Sequence, residues 1–115
     1  MYETVRRTID VASVSQRHAP HSLEQVRGPG SPCCCPLVAD RVVIGRAADA
    51  DLCIDSTGVS RRHLKITRNG PEYTCEDCES SNGVYLNGIR INSAVLRDGD
   101  VIQIGDVVFI YRDHA

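Results

Sequence analysis

The sequence predicts an all-β chain, folded as a two-sheet β-sandwich of short, mainly antiparallel strands. Three observations lead there. Short β-branched or alternating apolar runs recur, as in Arg41-Val42-Val43-Ile44 and Leu64-Lys65-Ile66-Thr67. Turn dipeptides divide them, namely Asn69-Gly70, Asn87-Gly88 and Asp98-Gly99. Nowhere in this region does an apolar helical period persist over about ten residues, the length a helix needs. Strands this short bury their apolar faces only by packing sheet on sheet.

Taken in order, residues 1–20 mix Arg, Ser, Thr, Gln and His without sustained periodicity, so a disordered N-terminal tail is expected there and one domain over 21–115. Thr8 in that tail follows Arg6 and Arg7. Basic residues ahead of a threonine suit a kinase, and a phosphorylated tail folding back on the domain is one reading; an unmodified tail is the plainer one. Ser22 to Arg27 suits a short strand, broken by Gly28-Pro29-Gly30-Ser31-Pro32, and Cys33 to Val38 pairs back as an edge strand because Pro36 lacks a backbone donor. Arg41 to Ile44 reads as a buried strand that ends at Gly45 and delivers Arg46 to a loop. Leu52-Cys53-Ile54 is a very short strand, and Leu64 and Ile66 share the buried face of the next. Its hairpin partner carries Tyr73 and Cys75 and runs out at Asp77. A loop through Ser80-Ser81-Asn82-Gly83 precedes the strand Val84-Tyr85-Leu86, and Val101 to Ile104 with Val107 to Tyr111 forms a last hairpin.

With 13 Lys and Arg against 15 Asp and Glu, the formal charge is -2. A binder of nucleic-acid backbone needs a broad basic face, so that class is set aside and any anion site is local. No apolar run approaches the ~20 residues of a membrane span. The N-terminus lacks the apolar segment of a signal peptide, and a cytoplasmic location is expected. Of six cysteines, Cys33, Cys34 and Cys35 are contiguous and alternate faces on a strand; Cys75 and Cys78 form a single C-x-x-C with no matching second pair. No metal site and no cofactor are expected.

Arginines, hydroxyls and an amide are spread over three turns: Gly45-Arg46, Ser60-Arg61-Arg62-His63 and Ser80-Ser81-Asn82-Gly83. Guanidinium forks bind phosphate oxygens in bidentate fashion, and serine hydroxyls and turn amides satisfy the remainder. No nucleophile with a neighbouring base stands among them, so the chemistry they suit is binding of a phosphate carried on another molecule.

The order Val43-Ile44-Gly45-Arg46, Ser60-Arg61-Arg62-His63, Asp77 to Gly88 and Leu96 to Gly105 resembles a forkhead-associated (FHA) domain, from about Leu23 to the C-terminus. The resemblance implies the same sandwich, with phosphopeptide-binding loops at one end. It implies that Arg46 contacts the phosphate or adjoining peptide and that Ser60 hydrogen-bonds phosphate oxygen. It further implies that Arg61 adds a contact and that Ser81 and Asn82 touch phosphothreonine and the peptide main chain. Gly45 and His63 are implied as structural support, and Asn87 and Gly88 as turn geometry rather than ligand. The implied function is a non-catalytic, phosphothreonine-dependent interaction module, expected to be monomeric. Its implied partners are a phosphorylated protein or peptide, with a Ser/Thr kinase or its substrate as candidates, and neither nucleic acid nor membrane. A phosphate-independent docking domain with a degenerate site is the alternative, and an enzyme or metal protein built on His63 and the cysteines is a third class. Departures from the family pattern are Ser81 and Val84, where threonine is frequent, and Glu79, where glycine is common. Glu79 is expected to weaken phosphate binding or to pair with Arg61.

Overall fold

The computed structural model describes residues 20–114, all strand, turn and loop. The tail expected over 1–20 therefore lies outside the described residues, apart from Pro20, whose carbonyl accepts the His114 N–H at 2.7 Å. Among the described residues no helix is long and apolar enough to cross a membrane.

β1 (His21–Arg27) and β2 (Cys33–Pro36) open the chain. β3 (Arg41–Gly45), β4 (Leu52–Cys53), β5 (Leu64–Asn69) and β6 (Glu72–Asp77) follow. β7 (Val84–Leu86), β8 (Ile89–Ile91), β9 (Ser93–Val95), β10 (Val101–Ile104) and β11 (Val107–Asp113) complete it. One sheet has the order β2-β1-β11-β10-β7-β8 and the other β4-β3-β5-β6-β9. Every pairing is antiparallel except β3 with β4, which is parallel. Asp51 completes that short connection, since its carboxylate accepts the Val43 N–H at 2.8 Å.

Alternation decides which side chains go inward. On β11 Val107, Phe109 and Tyr111 are buried while Val108, Ile110 and Arg112 are only half-buried, and on β5 Leu64 and Ile66 are buried against Lys65 and Thr67. These residues join Leu23, Ile44, Ile54, Val59, Tyr73, Val84, Ile102 and Ile104 in one core between the sheets. Fully burying a side chain of this size stabilises the fold by about 1.5–3 kcal/mol, so the set outweighs any single polar contact. Cys75 belongs to this core, and burial pushes its thiol up to about 11. Cys33 and Cys34 are exposed on the edge strand β2. Among the described residues no group of three His, Cys, Asp or Glu could hold a metal ion.

Two strands were not legible beforehand. β8 and β9 pair with β7 and β6, and the chain passes from one sheet to the other between Ile91 and Ser93. In β8 Ile89 and Arg90 are exposed and Ile91 half-buried, and β9 turns only the small Ala94 toward the core, so no apolar periodic signal announces them. At the crossing the Asn92 carbonyl accepts the Asp77 N–H at 2.8 Å, which pins the end of β6 where the following loop begins.

Candidate phosphate-binding site

Three loops meet at one end of the sandwich: the exit of β3, the segment before β5, and the connection from β6 to β7. The first two lie in direct contact. The Arg46 N–H donates to the Ser60 carbonyl (2.9 Å), the Ala47 N–H to that of Arg61 (3.0 Å), and the His63 N–H to that of Ile44 (3.0 Å). Gly45 is required by this approach, because a Cβ there would stand 2.1 Å from the Arg61 carbonyl oxygen.

His63 holds the third loop to these two. Its ring is fully buried. Nδ1 accepts the Ser60 N–H at 3.0 Å, so the ring proton sits on Nε2 and is donated to the Gly83 carbonyl at 2.7 Å. The His63 carbonyl in turn accepts the Cys78 N–H at 3.0 Å. With both nitrogens engaged and no solvent access, the ring serves as a brace rather than as a base.

The loop from Asp77 to Gly83 caps itself. Asp77 accepts the Ser80 N–H at 2.9 Å and the Ser80 hydroxyl accepts the Gly83 N–H at 2.9 Å. Against this frame the Ser60 hydroxyl oxygen accepts the Ser81 N–H at 3.1 Å, which leaves its own proton to donate outward. Asn82 donates through Nδ2 to the Gly58 carbonyl at 2.8 Å, leaving its Oδ1 without a partner among the described residues. Arg46 is exposed and is steered by a single bond from Nε to the Val59 carbonyl at 3.1 Å, so both terminal nitrogens remain available. Arg61 is exposed and makes no side-chain hydrogen bond or ion pair among the described residues. Arg62 pairs instead with Asp49 at 3.3 Å on the surface. The structure thus gathers the segments that carry Arg46, Ser60, Arg61, Ser81 and Asn82 at one end, with Gly45 and His63 between them.

Asn87 and Gly88 lie at the far end of β7. Both have positive φ, 51° and 85°, as the tight β7–β8 turn demands. Asn87 also accepts the Val101 N–H at 2.9 Å and donates to Asp100 at 3.1 Å, fastening that hairpin to β10. Glu79 stands at φ 56°, a left-handed conformation that favours glycine, and makes no ion pair with Arg61. One basic group was not connected to the loops by its place in the sequence: the Arg90 side chain, on β8, lies against Gly83. Only the pairing of β7 with β8 brings it there.

A β-sandwich that presents arginine, hydroxyl and amide groups on braced loops is, by its fold and site, a small anion-binding domain. The family model for the FHA domain matches residues 42–105, and the chain belongs to that family. It is 40% identical over 85 residues to the oxoglutarate dehydrogenase inhibitor of Corynebacterium jeikeium, covering 74% of this chain and 59% of that protein. Over 81 residues it is 46% identical to the transcriptional regulatory protein EmbR of Mycobacterium tuberculosis, covering 70% of this chain and 21% of EmbR. The chain therefore spans less than two thirds of the length of these curated relatives. EmbR solved in complex with a low-affinity phosphopeptide superposes with a TM-score of 0.78 at 35% identity, over 90% of this chain and 28% of that one. An FHA domain from a structural and functional analysis of phosphothreonine-dependent FHA interactions gives 0.77 at 36% identity, over 83% and 97%.

Proposed function

We propose that residues 21–115 form a phosphothreonine-dependent protein-protein interaction module that binds phosphorylated partner peptides in signalling or regulation and catalyses no reaction. The observation that carries this reading is the polarity of the Ser60 hydroxyl: it accepts the Ser81 N–H and so must offer its proton to an outside acceptor, beside an Arg46 guanidinium with two free ends. A phosphate oxygen is the acceptor that both groups suit. Arg46 and Ser60 take the phosphate, Arg61 supplements them, and Ser81 with the free Oδ1 of Asn82 receives the threonine and the peptide main chain. Family membership, the phosphopeptide held by EmbR and the phosphothreonine dependence of the related FHA domain support this assignment.

The buried, doubly bonded His63 supports a binding role over a catalytic one. Phosphothreonine rather than phosphoserine requires a recess for one methyl, worth only about 0.8 kcal/mol. We place the module in the cytoplasm, as a monomer, where a Ser/Thr kinase or its substrate supplies the phosphorylated partner. The test is calorimetric titration with a degenerate phosphothreonine peptide pool, the unphosphorylated pool and the Arg46→Ala variant. Binding should need the phosphate and fall about 10- to 100-fold in the variant, the scale of a lost charge-assisted bond. Binding that survives both controls would instead make the domain a phosphate-independent dock.

A further inference from the structure

We propose that Arg90 forms a second recognition point beside the phosphate site, where it takes a carboxylate side chain of the bound phosphopeptide. The proposal rests on the phosphothreonine reading and gives it a sequence preference. Three observations on β7, β8 and the loop before them lead to it.

The first is register. Val84 pairs with Ile91 and Tyr85 with Arg90, so Gly83 is the diagonal neighbour of Arg90 on the outer face of the sheet. The second is the space that Gly83 leaves. A Cβ at Gly83 would come within 2.6 Å of Arg90 Nε, 2.9 Å of Cζ and 3.2 Å of Nη2, so the guanidinium occupies the place of the missing side chain. Gly83 is buried, although Ser81 and Asn82 before it are exposed. The third is that Arg90 is exposed and has no hydrogen-bond or ion-pair partner among the described residues, whereas Arg62 and Arg112 are both paired. A five-donor fork is thus held by packing against the loop with its charge uncompensated.

Distance links this fork to the peptide. Ser81 touches the Ser60 hydroxyl, and Gly83 lies two residues further on, at most about 7 Å along the chain. An extended peptide advances about 3.3 Å per residue, so side chains a few positions from the phosphothreonine reach Arg90. The phosphate is already met by Arg46 and Ser60. What remains for an unpaired guanidinium at that range is a carboxylate, whose geometry the fork matches.

The experiment uses the full chain and alanine-based phosphothreonine peptides in which each flanking position in turn is Asp, Ala or Lys, with dissociation constants measured for wild type, Arg90→Gln and Arg90→Glu. Wild type should prefer Asp to Ala about three- to tenfold at one position, less so in high salt. Arg90→Gln should bind the all-Ala phosphopeptide within about twofold of wild type and lose the preference, and Arg90→Glu should turn it toward Lys, as expected of a rim charge. An Asp preference that is absent, or unchanged in Arg90→Gln, overturns the assignment while leaving phosphopeptide binding intact. If no phosphorylated peptide binds wild type, the phosphothreonine reading falls and Arg90 with it.

Discussion

Two buried histidines stand at opposite ends of this sandwich, and they differ in what they hold. His63 bonds only to backbone, from Ser60 on one loop to Gly83 on another. His21, at the start of β1, bonds to a side chain, the Tyr111 hydroxyl, and packs its ring 4.8 Å from that of Tyr73. Tyr73 in turn donates to the Leu37 carbonyl at 3.0 Å. The first histidine therefore sets where loops lie, and the second completes the packing of strands that pair without it. Burial of an ionisable ring is common to both; only the nature of the partners separates a brace of the binding loops from a filler of the core.

That contrast is open to direct test. The largest expected effect is that of His63→Ala, which leaves the half-buried Ser60 N–H and the buried Gly83 carbonyl unpaired and opens a void, a loss of about 3 kcal/mol. His21→Ala removes the hydrogen bond to Tyr111, the ring contacts with Tyr73 and Tyr111 and the 3.7 Å approach to the Asp113 carboxylate, a loss of about 1–2 kcal/mol. Urea titrations should rank the two in that order, and phosphopeptide affinity should collapse in the first variant and stay unchanged in the second. Equal loss of binding in both would erase the distinction.

Alkaline pH sharpens the comparison from the His21 side. Burial, with the Asp113 carboxylate as the second cause, pushes the Tyr111 hydroxyl up to about 12 from a usual 10.0, and burial pushes Cys75 up to about 11 from 9.0. Both groups are acids whose neutral form the fold favours. Their contribution is whole below the unfolded values and is lost as pH rises through the folded ones. Stability should therefore begin to fall above about pH 9 through Cys75 and above about pH 10 through Tyr111. Tyr111→Phe should remove the later part of that fall, and a urea midpoint that declines identically in the variant would contradict the assignment.

The smallest effect is expected at Glu79. Relief of its left-handed backbone in Glu79→Gly, less the entropy that glycine adds to the unfolded chain, should stabilise by about 0.5–1 kcal/mol. Glu79→Gln keeps the strain and removes the charge. If the carboxylate repels phosphate, affinity should rise at low salt in both variants while thermal stability rises in the first alone.

Where an element depended on neighbours in sequence, it was legible. Asn69-Gly70 and Asn87-Gly88 specify their hairpins because positive φ is a property of the residue itself, and the alternation in β5 and β11 reports burial because side chains point to opposite faces at every step. The ordered motifs likewise brought Arg46, Ser60, Ser81 and Asn82 to notice, since residue type alone carries their donors. What the tertiary structure decided was every relation between distant segments. The parallel seat of β4, the passage from β8 to β9 across the sheets, the proton on Nε2 of His63 and the placing of Arg90 over Gly83 all depend on which backbones approach one another. Those approaches are selected by the burial of a shared core, a sum over many residues that no local stretch contains.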